Sequence, residues 1–276
     1  MTTIQSLPFS GIDAHAHVFD HRLQMVQARR YAPNADATLD DYLAQLDAHG
    51  MSHGVLVQPS FLGTDNSYLL DALEQNLDRL RGVVVIDPHT PLETLVHMAS
   101  LGVRGMRLNL VGQTLPDLRQ PAWQACLEMV NALGWHVELH RQLADLPALI
   151  ETLLAAGCKV VVDHFGRADA RLGLDQPGMR ELLELGRGGQ LWVKVSALYR
   201  LGGTAQQQTD FAAQALAALS DHLGARRLLW GSDWPHTQHE AQARFGDELD
   251  RLRQLAAAQG ILPQVLRESA AELFAI

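Results

Sequence analysis

Cysteine is scarce: the chain carries two, Cys126 and Cys158, in apolar contexts and without metal-type spacing. That excludes a disulfide framework and a cysteine-based zinc site, and predicts buried thiols in a reducing compartment, the cytoplasm by default. No apolar run reaches the roughly 18 residues needed to span a bilayer, and the opening Met-Thr-Thr-Ile-Gln-Ser-Leu-Pro lacks the basic and apolar segments of a secretion signal. Positive charge is in deficit, 22 Lys+Arg against 31 Asp+Glu for a net −9, which disfavours nonspecific binding to nucleic acid or an anionic membrane. Local basic patches can still hold a small anion. No Gly-x-Gly-x-x-Gly turn follows the first apolar run, which counts against a dinucleotide-binding open sheet. No compositional break marks a second domain, so one domain over residues 1–276 is expected.

What is present is alternation. With 47% hydrophobic and 19% charged residues the composition is that of a globular protein. Short β-branched runs predict strands at 12–18, 54–57, 82–86, 103–108, 136–139, 160–162, 191–195 and 228–230. Amphipathic patterns predict helices at 39–49, 68–77, 92–98, 122–133, 146–156, 179–185, 208–219 and 245–257. Gly50, Gly134, Gly157 and Gly224 stand where helix ends favour glycine. Eight strand-then-helix units predict an α/β fold, a single (β/α)8 TIM barrel, with a doubly wound open sheet as the weaker alternative. The tail, 262–267 and 270–274, is expected as an extra C-terminal helical segment packed on the outside.

In such a barrel, chemistry sits at the carboxyl ends of the strands. Those ends carry His15 and His17, Ser60, Asp87, Arg107 and Asn109, His140 and Arg141, His164 and Arg167, Ser196, Tyr199 and Arg200, then Asp233 and His236. His15 and His17, at i and i+2, point the same way, and facing a carboxylate they form either a divalent-metal site or an acid/base cluster. Alternation in Val160-Val-Val-Asp-His164 predicts His164 inside the barrel and Asp163 towards the helices. His140 shares a face with Glu138 and His136, which requires a polar interior or a bulged strand. Arginines converging on one mouth imply an anionic substrate, whereas isolated surface arginines would be ordinary ion pairs.

Four motifs in register, Gly11-Ile-Asp-Ala-His-Ala-His17, Gly102-Val-Arg-Gly-Met-Arg-Leu-Asn109, Val162-Asp-His-Phe-Gly-Arg167 and Leu229-Trp-Gly-Ser-Asp-Trp-Pro-His236, resemble the amidohydrolase-2 branch of the amidohydrolase superfamily. Within it the pattern is most similar to the 2-pyrone-4,6-dicarboxylate lactonases and their sugar-lactone-hydrolysing relatives. The resemblance implies a cytoplasmic hydrolase for a small anionic lactone, with Asp233 as general base and His15, His17 and His164 around the carbonyl. It also implies that Ser60, Arg107, Arg167 and Arg200 hold substrate carboxylates, with His140 and Tyr199 as further contacts. Two departures count: Val111-Gly-Gln113 replaces a further arginine of that pattern, and His140 replaces a tyrosine. No cofactor is expected. The alternative is one zinc or manganese on His15, His17, His140 and Asp233. Other functions that stay open are a sugar-acid lactonase or lactone isomerase, a metal-dependent aromatic-acid decarboxylase, for which Asp20 offers a poorly oriented carboxylate, and a binding barrel without activity. The segment from His21 to Asp36 follows the first strand and is expected either as a lid or as a loose loop.

Overall fold

The computed structural model describes residues 10–276. Eight parallel strands pair in chain order: β1 (Gly11–Ala16), β2 (Met51–Val57), β3 (Leu80–Val84), β4 (Val103–Asn109), β5 (His136–His140), β6 (Lys159–Val162), β7 (Leu191–Lys194) and β8 (Leu228–Leu229). Seven helices lie between them: α1 (Leu39–Ala48), α2 (Ser67–Glu74), α3 (Leu92–Ser100), α4 (Pro121–Ala132), α5 (Leu146–Ala155), α6 (Met179–Gly186) and α7 (Ala205–Leu223). Two more, α8 (Phe245–Ala258) and α9 (Ser269–Phe274), follow β8. This is the expected (β/α)8 barrel. Among the described residues, no helix is long and apolar enough to cross a membrane.

Local chemistry explains the elements. Thr38 and Thr204 close capping boxes with Asp41 and Gln207 at the starts of α1 and α7, satisfying amide donors that a helix start leaves free. Gly50, Gly134 and Gly157 take left-handed φ of 69°, 71° and 81° just past α1, α4 and α5, a conformation that costs glycine little. The strands read as nearly continuous apolar runs because both their faces are buried.

The barrel closes through β1 and the turn after β8. Trp230 O accepts from Ala14 N at 2.9 Å, and His15 O accepts from Asp233 N at 2.8 Å. Asp13, facing outward, accepts from Ser232 N and Oγ at 2.7 and 2.6 Å and from Tyr42 OH at 3.0 Å. Burial pushes the Asp13 carboxyl up to about 6 against these bonds. Gly231 has no side chain because β1 passes over it: a Cβ there would lie 2.4 Å from His15 Cβ.

The lower barrel interior is apolar, built from Ile12, Ala14, Val55, Val57, Val83, Val161, Trp192 and Leu229. Ala270, Leu273 and Phe274 of α9 belong to the same cluster, and Phe274 meets the His136 ring at 5.2 Å. This corrects the expectation for the tail: α9 plugs the amino end of the barrel instead of lying on its outside. Apolar surface at the open end of a barrel must be covered, and a short helix of small and large hydrophobes does so.

The next layer is charged. Arg107, Glu138, Asp163, Lys194 and His15 interlock there, all buried. Val160 and Val162 pack outward, so Val161 and Asp163 point inward, and the expected parity of β6 is wrong. Asp163 can point inward because Arg107 binds it at 2.7 Å and Lys194 lies 3.4 Å away, neutralising its charge. His164 reaches the mouth by another route, a left-handed turn in which His164, Phe165, Gly166 and Arg167 all have φ between 48° and 65°.

Candidate active site

Asp233 is presented at φ 58°, in the left-handed region that non-glycine residues seldom occupy. Its two oxygens face different surroundings. Oδ2 accepts from Tyr199 OH at 2.6 Å and from Arg200 Nε at 2.5 Å. Oδ1 faces three imidazoles, with His15, His17 and His164 Nε2 at 3.8, 3.7 and 3.7 Å. Distances of this length are too long for direct hydrogen bonds and suit one oxygen atom between the partners. Burial opposes charge on Asp233, but Arg200 and the imidazoles of His164, His15 and His17 outweigh it and hold the carboxyl well below its usual range. Burial, reinforced by Arg107, depresses His17 to about 4, and burial takes His164 to about 4 despite Asp233. Burial also drives His15 and His140 well below the usual imidazole range. Near neutral pH the cluster is one carboxylate among neutral imidazoles.

Above it opens a cavity of about 340 Å³. Its wall includes Ser60, Arg107, His140, Arg167, Tyr199 and Arg200, so every substrate-contacting residue expected from the sequence faces this space, and so do His17, His164 and Asp233. His15 lies beneath them, fully buried. The arginines differ in commitment. Arg107 is bound to Asp163 and, at 3.2 Å, to Glu138; Arg200 is held by Asp233 and by Thr237 O at 3.1 Å. Arg167 is freer: Nη1 lies 3.4 Å from His140 Nε2, and its buried Nε has no hydrogen-bond partner.

His140 stands apart from the metal-type clusters. Its Nδ1 lies 3.2 Å from Arg107 Nη2 and its Nε2 faces Arg167, so both nitrogens are turned to cations. The His15-His17-His140-Asp233 set is therefore not assembled. The ligand-type groupings that include site residues are His15, His17 and Asp233, and His15, Asp163 and His164. In the first, the spacing would admit a divalent ion. His17 also has the support usual for a ligand, since its Nδ1 lies 2.7 Å from Val57 O and must donate to it. His15 does not. Its Nδ1 lies 2.8 Å from the Lys194 ammonium, where a metal-binding histidine normally meets an acceptor. The donor set thus fails to fit a metal at His15.

Sequence reading gave no role to three groups. Glu138, noted on the His140 face as a sign of a polar interior or a bulge, lies in a polar interior, and Lys194 sits within an apolar-looking strand. The signal for Lys194 was its rarity, as one of two lysines beside Lys159. The third is Arg30, at the cavity wall with Nη2 3.4 Å from Asn109 Oδ1. The segment carrying it is rooted by the Phe19–Ala37 bridge and a His21–Asp36 contact of 2.5 Å, and Tyr31 OH donates to Thr237 Oγ1 at 3.1 Å, so it walls the mouth.

The sequence pattern of the amidohydrolase family matches residues 12–276. The chain belongs to the amidohydrolase family. A curated relative, 4-sulfomuconolactone hydrolase of Rhizobium radiobacter, is 30% identical over 98% of this chain and 92% of its own. A second, 2-pyrone-4,6-dicarboxylate hydrolase of Comamonas testosteroni, is 31% identical over 83% of this chain and 78% of its own. Among solved structures, a Pseudomonas putida protein provisionally described as a 2-pyrone-4,6-dicarboxylic acid hydrolase superposes with a TM-score of 0.92, at 54% identity over 98% of each chain.

Proposed function

We propose that this amidohydrolase opens the ring of a small carboxylated lactone of the 2-pyrone-4,6-dicarboxylate type, using water activated by Asp233 and no metal ion. The observation that carries the reading is the division of labour on Asp233: Tyr199 and Arg200 fix Oδ2, leaving Oδ1 directed at three imidazole Nε2 atoms below a cavity walled by arginines. Oδ1 takes a proton from water, the hydroxide attacks the lactone carbonyl, and an imidazole N–H of His15 or His164 donates to the developing oxyanion. Collapse breaks the ring C–O bond, and the proton held by Asp233 returns to the leaving oxygen. Carboxylates on the ring are met by Arg167 and Ser60, with Arg107 and His140 behind and Tyr199 and Arg200 on the opposite wall. Arg30 takes over at the mouth, beside the Val111-Gly-Gln113 stretch that lacks the further arginine of the lactonase pattern. The free, buried Cys126 and Cys158 fit a cytoplasmic enzyme.

The test is an ultraviolet assay of purified protein on 2-pyrone-4,6-dicarboxylate, a sulfonated muconolactone, uncharged aldonolactones and an aromatic acid. The dicarboxylate pyrone should be turned over fastest, with kcat/KM on the order of 10⁴ M⁻¹s⁻¹ or more. Folded protein that hydrolyses no anionic lactone, or that releases carbon dioxide from the aromatic acid, would overturn the reading.

A further inference from the structure

Lys194 is fully buried on β7, directly behind His15, and is not part of the cavity wall. Its ammonium contacts a Glu138 carboxylate oxygen, lies 3.4 Å from Asp163 Oδ1 and sits 2.8 Å from His15 Nδ1. An ammonium can only donate. Asp163 Oδ1 and Glu138 Oε1 are farther from His15 Nδ1, at 3.4 and 3.6 Å, and accept no hydrogen bond from any described residue, their charge being balanced by Lys194 at 3.4 Å and Arg107 at 3.2 Å. His15 Nδ1 therefore carries its lone pair towards Lys194, and a neutral His15 must carry its proton on Nε2. On His17 the assignment runs the other way: Val57 O accepts from Nδ1–H, so Nε2 holds the lone pair. The 3.3 Å contact between the two Nε2 atoms is then a hydrogen bond from His15 to His17.

We propose that Lys194 is a positioning residue that fixes His15 as an N–H donor at Nε2, and that this lysine is what prevents the His15-His17-Asp233 cluster from holding a divalent metal. A metal would need lone pairs on both Nε2 atoms, and Lys194 withholds one of them. With substrate bound, the His15 Nε2 proton serves the oxyanion only by turning from His17 to it, and no ion is then needed. If Lys194 is removed, the acceptors left nearest to Nδ1 are the Asp163 and Glu138 carboxylates. They draw the proton to Nδ1 and free the Nε2 lone pair, and the uncompensated negative charge favours a cation. Replacing the lysine should thus turn a donor site into a ligand site.

The catalytic part of this inference rests on the lactonase reading, but its test does not. In protein labelled with ¹⁵N-histidine, the His15 resonances, assigned by their loss in His15→Gln, should show a bare Nδ1 and a protonated Nε2. A proton on Nδ1 overturns the proposal whatever the enzyme hydrolyses. Zinc titration by calorimetry is the second readout. Lys194→Met should bind zinc at least about tenfold more tightly than wild type, and the gain should vanish on adding Asp233→Asn. A wild-type protein that binds one zinc tightly, and loses it in His15→Gln, overturns the proposal. So does a folded Lys194→Met protein with unchanged His15 tautomer and zinc affinity, which would make Lys194 only a counter-ion for Glu138. If Lys194→Met does not fold, the wild-type spectrum and zinc titration still decide. A failed lactone assay with the expected tautomer would sink the lactonase reading alone.

Discussion

At the scale of single residues the site separates groups that hold from groups that act. Asp233 does both, one oxygen each, so Asp233→Asn keeps an acceptor for Tyr199 and Arg200 while losing the base. We expect kcat to fall at least about 100-fold with the melting temperature little changed; near-wild-type turnover would remove Asp233 from the chemistry. The arginines separate in the same way. Arg167→Met should lower kcat/KM for an anionic lactone by roughly 2 kcal/mol or more and leave an uncharged lactone nearly unaffected, because Arg167 has little protein to hold. Arg107→Met should instead unbalance Asp163 and Glu138 in the barrel and destabilise the fold by about 3–5 kcal/mol, visible in chemical denaturation. Equal kinetic losses on both lactones in Arg167→Met would mark that arginine as structural too.

At the scale of elements the decisive contact is between β1 and the turn after β8, because it both closes the barrel and sets Asp233 against His15. Ser232 is tied to Asp13, Asp233 N to His15 O, and Gly231 lies under the β1 backbone. Gly231→Ala forces that backbone away from a Cβ that would sit 2.6 Å from His15 N. The expected cost is about 1–3 kcal/mol, the usual scale of overpacking, with a drop in kcat larger than the stability loss explains, since His15 moves relative to Asp233. Unchanged denaturation midpoint and kcat would show that the closure tolerates a side chain. Behind the mouth, Phe165 packs at 6.0 Å from Phe211 and braces the left-handed turn that delivers His164.

For the whole molecule, the buried titrating groups set a pH dependence of stability. His17, His164 and His236 have folded values of about 4, and His15 and His140 lie well below the ordinary 6.5. As pH falls from about 6.5 towards 4, the unfolded chain therefore gains protons that the folded chain refuses, and stability falls. Asp13, raised to about 6, and Glu248, raised to about 7, act in the opposite sense, because their folded forms bind protons first. His136, fully buried, is lowered too, and six histidines against two carboxyls make the sum a loss. Thermal melts should show the melting temperature dropping across this window, and Asp163 and Asp233, both held low, add to the loss below about pH 4. A melting temperature that rises on acidification from 6.5 to 4 would contradict these burial effects.

The sequence by itself determined the barrel, its strand order and most of the residues at the mouth, Arg30 excepted. Strand periodicity, helix-ending glycines and the rule that barrels work at strand carboxyl ends are local or topological facts, and they led to Asp233, His15, His17 and His164. It could not determine which way Asp163 points, because β6 is too short for alternation to outweigh an ion pair with Arg107 on another strand. Nor could it find that α9 fills the barrel's lower end, that Arg107 is occupied while Arg167 is free, or that Lys194 stands behind His15. Those are pairings between residues as far apart in the chain as His15 and Lys194, and burial makes them obligatory: a charge removed from water must meet its partner, and only the closed barrel decides which partner is within reach.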